Sequence, residues 1–251
     1  MTQTISGVGD SLWVKRGAGL YLPVARRRFS IRGLVLYAPL WHPQLNTSPF
    51  LAWDIVNGST HSCTVTEATW QSDGRLFDGT NDFIDLGDDG FDTLTEGTIL
   101  IWVKFEAIGA QQLFGCDVDI NNRFMISKSG TNTLVVVLRT GGTKRINAAG
   151  ATALDVDAWH LLSFADNATG NWASVDGISE ALTYTDGNAT TDYFFDDLST
   201  GTTYYHLGRA MAAGGTFDYG NETVGECLIY NRALTLLEIQ NIYLSTKWRY
   251  R

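Results

Sequence analysis

The chain has 251 residues, with 26 Gly and 4 Pro; that length suits one large all-β domain with its own core, and the composition suits strands and turns better than helical bundles. Net charge is −9, yet residues 1–32 carry six basic side chains (Lys15, Arg16, Arg26, Arg27, Arg28, Arg32) against Asp10, a balance of +5 that leaves −14 (−9 − 5) on the remainder. An acidic body argues against general nucleic-acid binding, which needs a positive surface, and no apolar run reaches the roughly 18 residues of a membrane helix, so no membrane insertion is expected.

Residues 1–32 hold short apolar pieces, Leu12-Trp13-Val14 and Leu20-Tyr21-Leu22, separated by Gly and basic residues. They show no sustained period of 2 or 3.6, which reads as a basic extended arm or as an added strand. No apolar signal-peptide core is recognised there, so a virion or extracellular location would be reached by another route, such as virion release.

A domain is expected over 33–251. Leu34 to Trp41 reads as a first strand, ended or placed at an edge by Pro39. Asp78-Gly79 and Asn81 are turn formers ahead of Phe83-Ile84-Asp85-Leu86. Thr98 to Phe105 carries apolar residues on both faces, which predicts a strand buried on both sides. Further strands are predicted at Gln112–Gly115, Arg123–Lys128, Thr133–Arg139, Trp159–Asp166, Asn171–Val175, Tyr204–Gly208 and Glu222–Tyr230. Thr235-Leu236-Leu237-Glu238 has the pattern of a capping box and opens the one stretch with helical period, to Leu244. Many short strands at this spacing mean a two-sheet sandwich or barrel. Cys63, Cys116 and Cys227 are odd in number and lack a C-x-x-C pair, so buried thiols are expected rather than a disulfide framework.

Seven segments follow one another in a familiar order: Leu34 to Leu40, Phe77 to Gly87, Thr98 to Lys104, Trp159-His160, Val175-Asp176-Gly177, Leu207-Gly208-Arg209 and Gly225 to Ile239. In that order they resemble the laminin-G-like branch of the concanavalin A-like lectin/glucanase superfamily. The resemblance covers about residues 33–245 and implies an all-β antiparallel jelly roll of two sheets with one short C-terminal helix. It also implies one Ca²⁺ at the sandwich rim, with Asp54, Asn57 and the loop around Asp78 as ligands. Gly225 stands where the family often has a ligating Asp.

The acids Asp78, Asp82, Asp85, Asp88, Asp89 and Asp92, together with Asn81, offer the hard oxygen donors that Ca²⁺ takes, and they equally suit solvated strand connections. The same superfamily holds β-glucanases, whose paired acids lie as E-x-D-x-x-E on one strand; this sequence has no such pattern, so no enzyme is expected. His42, His61, His160 and His206 are scattered. The stretch before Leu207 puts acids beside aromatics, and Trp172, Asp192, Tyr193, Phe194 and Asp196 are the candidate ligand-binding residues. A hydrophobic plug closing the sandwich is the other reading of that stretch.

The sequence therefore predicts a non-catalytic binding module for a glycan or polysaccharide, displayed on a larger assembly such as a phage particle. The alternatives are a structural capsid or tail decoration subunit and a polysaccharide hydrolase or lyase. The arm would attach to capsid or tail proteins or to other copies of the chain.

Overall fold

The computed structural model describes residues 5–8, 11–16, 20–23, 29–87, 90–198, 203–211 and 215–251. The chain divides into two compact units, Met1–Ser30 and Ile31–Arg251. In the first, strands Ile5–Val8, Ser11–Arg16 and Leu20–Pro23 form an antiparallel meander. The arm expected over 1–32 is thus strand-forming, and its strands pair with one another. Each apolar triplet is long enough for one short strand and too short to show a period.

The second unit is an antiparallel two-sheet sandwich with one C-terminal helix, as the sequence predicts. In the first sheet, Trp159–Asp166, Gly97–Phe105 and Asn221–Tyr230 lie side by side. Asn171–Val175 and Ile178–Ser179 extend one edge. Across its far side, Asn221–Tyr230 pairs first with Gly74–Asp78 and then, beyond Gly225, with Leu34–Pro39. The second sheet runs Thr183–Asp186, Thr143–Ala153, Thr133–Thr140, Asn122–Lys128, Gln111–Asp119, Tyr204–Leu207 and Phe83–Asp85. Ser59–Thr66 joins the two: its first half pairs with Phe50–Asp54, its second with Phe83–Asp85.

Alternation along Gly97–Phe105 sorts the core. Ile99 lies opposite Phe164, whose ring meets Phe124 of the second sheet at 5.4 Å, so Ile99, Ile101, Val103 and Phe105 fill the space between the sheets. Each such buried side chain contributes about 1.5–3 kcal/mol. Trp102 points the other way. It stacks on Tyr250 at 4.4 Å and Tyr243 at 5.5 Å, and its Nε1 donates to Thr246 Oγ1 at 2.8 Å. The helix Leu236–Thr246 and the tail after it thereby cover the outer face of the first sheet. The predicted capping box is present: Thr235 Oγ1 accepts from Glu238 N, and the Glu238 carboxylate accepts from Thr235 N.

Gly225 has a steric reason. A Cβ there would collide with the Tyr250 ring, so the glycine lets the tail dock on the strand. All three cysteines are buried, as expected.

One buried acid stands without a donor. Glu222 is fully buried, both carboxylate oxygens lack a partner, and burial pushes its carboxyl well above the usual 4.5 even with Lys128 opposing the shift. The folded chain then binds a proton that the unfolded chain releases. That contribution is complete below about pH 4.5 and is lost as pH rises through the raised value. Replacing Glu222 by Gln should raise the melting temperature at neutral pH, by the equivalent of about 1–3 kcal/mol. Thermal melts across pH check this: the gain should shrink to nothing in acid.

Candidate functional site

The outer face of the second sheet carries a row of charges set by strand register. Arg123 lies directly opposite Arg139, Arg139 opposite Lys144, and Arg123 on its other side opposite Asp117. The residues between them in sequence, Phe124, Leu138 and Cys116, are buried toward the core, so alternation turns the charged row outward. Like charges directly opposite one another destabilise a sheet. Here they persist, and the Nε atoms of both Arg123 and Arg139 have no hydrogen-bond partner. Burial and the neighbouring Arg139 both lower the Arg123 pKa, with Asp117 opposing them. Arg123 is buried and Arg139 half-buried, and the Nε atoms of both are shut off from solvent.

A hairpin of Arg209–Met211 and Phe217–Tyr219 packs against part of this face. Gly115 makes room for it, since a Cβ would run into Arg209 O and Ala210 Cα. The Met211 carbonyl accepts from Arg123 Nη1, while Met211 N donates to the Asp117 carboxylate at 3.3 Å. Asp117 and Arg123 thus both hold the backbone of Met211. Arg209 lies over the rings of Phe83, 3.3 Å away, and Phe217, 4.0 Å away, and its Nη2 is 2.8 Å from His206 Nε2. Those contacts fix the hairpin, and they give the Leu207-Gly208-Arg209 segment a structural role. The four histidines serve likewise: His61, His160 and His206 each sit within 4.0 Å of an aspartate, and His42 Nδ1 accepts from Gln44 N.

The residues expected to bind ligand do not come together. Phe194 is a correction: it is fully buried, its ring 4.3 Å from Phe195 and 6.3 Å from Phe124, and it fills the place of a side chain over Gly97. It is the plug. Trp172 follows Asn171, whose side chain donates to Asn188 O and Thr191 O. Strand alternation therefore points Trp172 away from that loop and from Asp192 and Tyr193 beyond it. Tyr193 is half-buried with the Arg145 guanidinium 5.5 Å from its ring centre, and Asp192 and Asp196 are exposed.

The three expected calcium ligands do not fit one ion. Asp78 lies opposite Asn221, whereas Trp53, the residue before Asp54, lies opposite Tyr37 and so alongside Leu228. Seven residues of strand separate those positions, about 23 Å at 3.3 Å each. The Asp54 carboxylate instead accepts from Asn57 N at 2.9 Å, Asn57 Nδ2 at 2.6 Å and Ser59 Oγ at 3.4 Å, closing the Asp54–Ser59 turn. Asp78 Oδ1 accepts from Thr80 N at 2.8 Å. Asp88 and Asp89 lie outside the described residues. Among the described residues, no three His, Cys, Asp or Glu side chains converge as a metal site.

No family model matches the chain, and no curated protein does. Solved structures match clearly. A mutant of Trypanosoma rangeli sialidase displaying trans-sialidase activity superposes with a TM-score of 0.64 at 14% identity, over 99% of this chain and 45% of its own. The CBM40 of Ruminococcus gnavus IT-sialidase, bound to α2,3-sialyllactose, gives 0.56 at 18% identity, over 68% of this chain and 96% of its own. The chain spans under half the length of the whole sialidase it matches. At these identities the likeness shows the fold alone: a β-sandwich like part of the sialidase chain and like the CBM40 domain.

Because Asp54 closes a turn, Asp54→Ala should lower stability by about 1.5–3 kcal/mol, the range for hydrogen bonds to a charged group. Denaturant melts with excess Ca²⁺ and with a chelator should show the same loss. A loss confined to the calcium-loaded sample would restore Asp54 as a ligand.

Proposed function

We propose that this chain is a non-catalytic carbohydrate-binding module that recognises an acidic sugar on the outer face of the second sheet. The observation that carries this reading is the row of Arg123, Arg139 and exposed Lys144, paired across neighbouring strands of that sheet. A guanidinium pair suits the carboxylate of such a sugar, because two N–H groups can meet its two oxygens. The fold likeness to a CBM40 bound to α2,3-sialyllactose supports the same class of ligand. The seven ordered sequence segments support a laminin-G-like form of the fold. The other face leaves little room for a ligand, since the helix and tail cover Trp102 there.

The chain lacks the paired strand acids of glucanases, which supports binding without turnover. The segment 1–32, at +5, would attach the module to an acidic neighbour, whether another protein of an assembly or a second copy.

Titration calorimetry with sialyllactose and with lactose tests the reading. Binding should require the acidic sugar, and Arg139→Ala should weaken it about tenfold to a hundredfold, the equivalent of about 1.5–3 kcal/mol for a lost charged hydrogen bond. Equal binding of the two sugars, or full affinity in both Arg123→Ala and Arg139→Ala, would sink it. Sugar release from sialyllactose by pure protein would overturn the non-catalytic part.

A further inference from the structure

The hairpin of Phe50–Asp54 and Ser59–Thr66 turns through Ile55, Val56, Asn57 and Gly58. Asn57 and Gly58 form the one Asn-Gly pair in the sequence, and both are exposed. Gly58 takes a left-handed φ of +65°, and a Cβ placed on it would meet nothing within 4 Å. Its N–H donates to no group among the described residues. A backbone nitrogen this open, with no side chain beside it, can approach the side-chain amide carbon of the residue before it.

One contact opposes that approach. The buried Asp54 carboxylate accepts from Asn57 N at 2.9 Å through Oδ1 and from Asn57 Nδ2 at 2.6 Å through Oδ2. The Asn57 amide is therefore held facing Asp54, on the side of its own backbone N–H. Attack by Gly58 N needs that amide turned the other way. Hydrogen bonds to an ionised acceptor are the stronger kind, so this clamp sets how often the amide is free to turn.

We propose that Asn57 is a self-modification site, a deamidating Asn-Gly pair whose rate Asp54 controls. Gly58 N gives its proton to a base in the solvent and bonds to Asn57 Cγ. The Cγ–Nδ2 bond breaks, and ammonia leaves carrying the proton that the base returns. Water then opens the succinimide at either carbonyl, giving aspartate or isoaspartate. Neither product has a side-chain N–H to offer Asp54, and two carboxylates have only acceptors to offer each other. Isoaspartate also lengthens the backbone of the turn. The modified turn cannot re-form the clamp, and Ser59–Thr66, which leaves it, is the strand that pairs into both sheets. The site lies outside the sugar-binding reading and does not depend on it.

Incubation of the full chain in mildly alkaline buffer, followed by proteolysis and mass spectrometry of the peptide that holds Asn57, tests this. In Asp54→Ala the product should form about tenfold to a hundredfold faster than in the parent, the gain expected from losing hydrogen bonds to a charged group. Adding Gly58→Ala to that variant should remove most of the gain, because a Cβ crowds the attacking nitrogen. Leu138 is buried in the second sheet, away from the turn, so Leu138→Ala lowers stability through a cavity and leaves the clamp in place. Its rate should stay at the parent value. No product at Asn57 in Asp54→Ala, or a gain there no larger than in Leu138→Ala, would overturn the proposal.

Discussion

The strand Asn221–Tyr230 is the constraint on which the body depends. One of its edges pairs with Gly97–Phe105. Its other edge changes partner, from Gly74–Asp78 to Leu34–Pro39, on either side of Gly225. The first strand of the domain and the acidic-turn strand are thereby brought into one sheet although about 40 residues separate them. The same glycine accepts the Tyr250 ring, which stacks on Trp102 and lies 4.7 Å from Trp159. One residue without a side chain thus serves both the strand and its cover. That accounts for Gly225 without reference to a metal.

Covering one sheet leaves the outer face of the other, which is the proposed recognition surface. There the polar groups divide into two sets. Asp117, His206 and Arg209 bind the Arg209–Tyr219 hairpin to the sheet through hydrogen bonds, charge and aromatic contact. Arg123 and Arg139 lie opposite each other on neighbouring strands of the same face. A cross-strand pair of like charges lowers stability, and an anionic ligand would reverse its sign.

Much of the fold was legible in the sequence because its strands are half-buried or fully buried, and their patterns follow from that. Trp159–Asp166 and Asn171–Val175 have the predicted bounds, and the capping box at Thr235 holds. Thr143–Ala153 gave no such signal: its first residues are exposed and its later ones are largely Ala and Gly. The site was less legible because it depends on register. Both arginine-bearing strands were predicted, but only the turn at Ser129–Asn132 pairs Lys128 with Leu134 and so Arg123 with Arg139. A slip by one residue would put the two on opposite faces. Phe194 shows the converse: an aromatic beside acids looks like a sugar platform in sequence, and tertiary packing makes it a plug.

Backbone amide shifts during titration with sialyllactose would locate the recognition surface without altering a residue. Changes should concentrate on Asn122–Lys128, Thr133–Thr140 and the start of Thr143–Ala153. Changes confined to the loop around Tyr193, to Trp172 or to the C-terminal helix would contradict placement of the site on the arginine row.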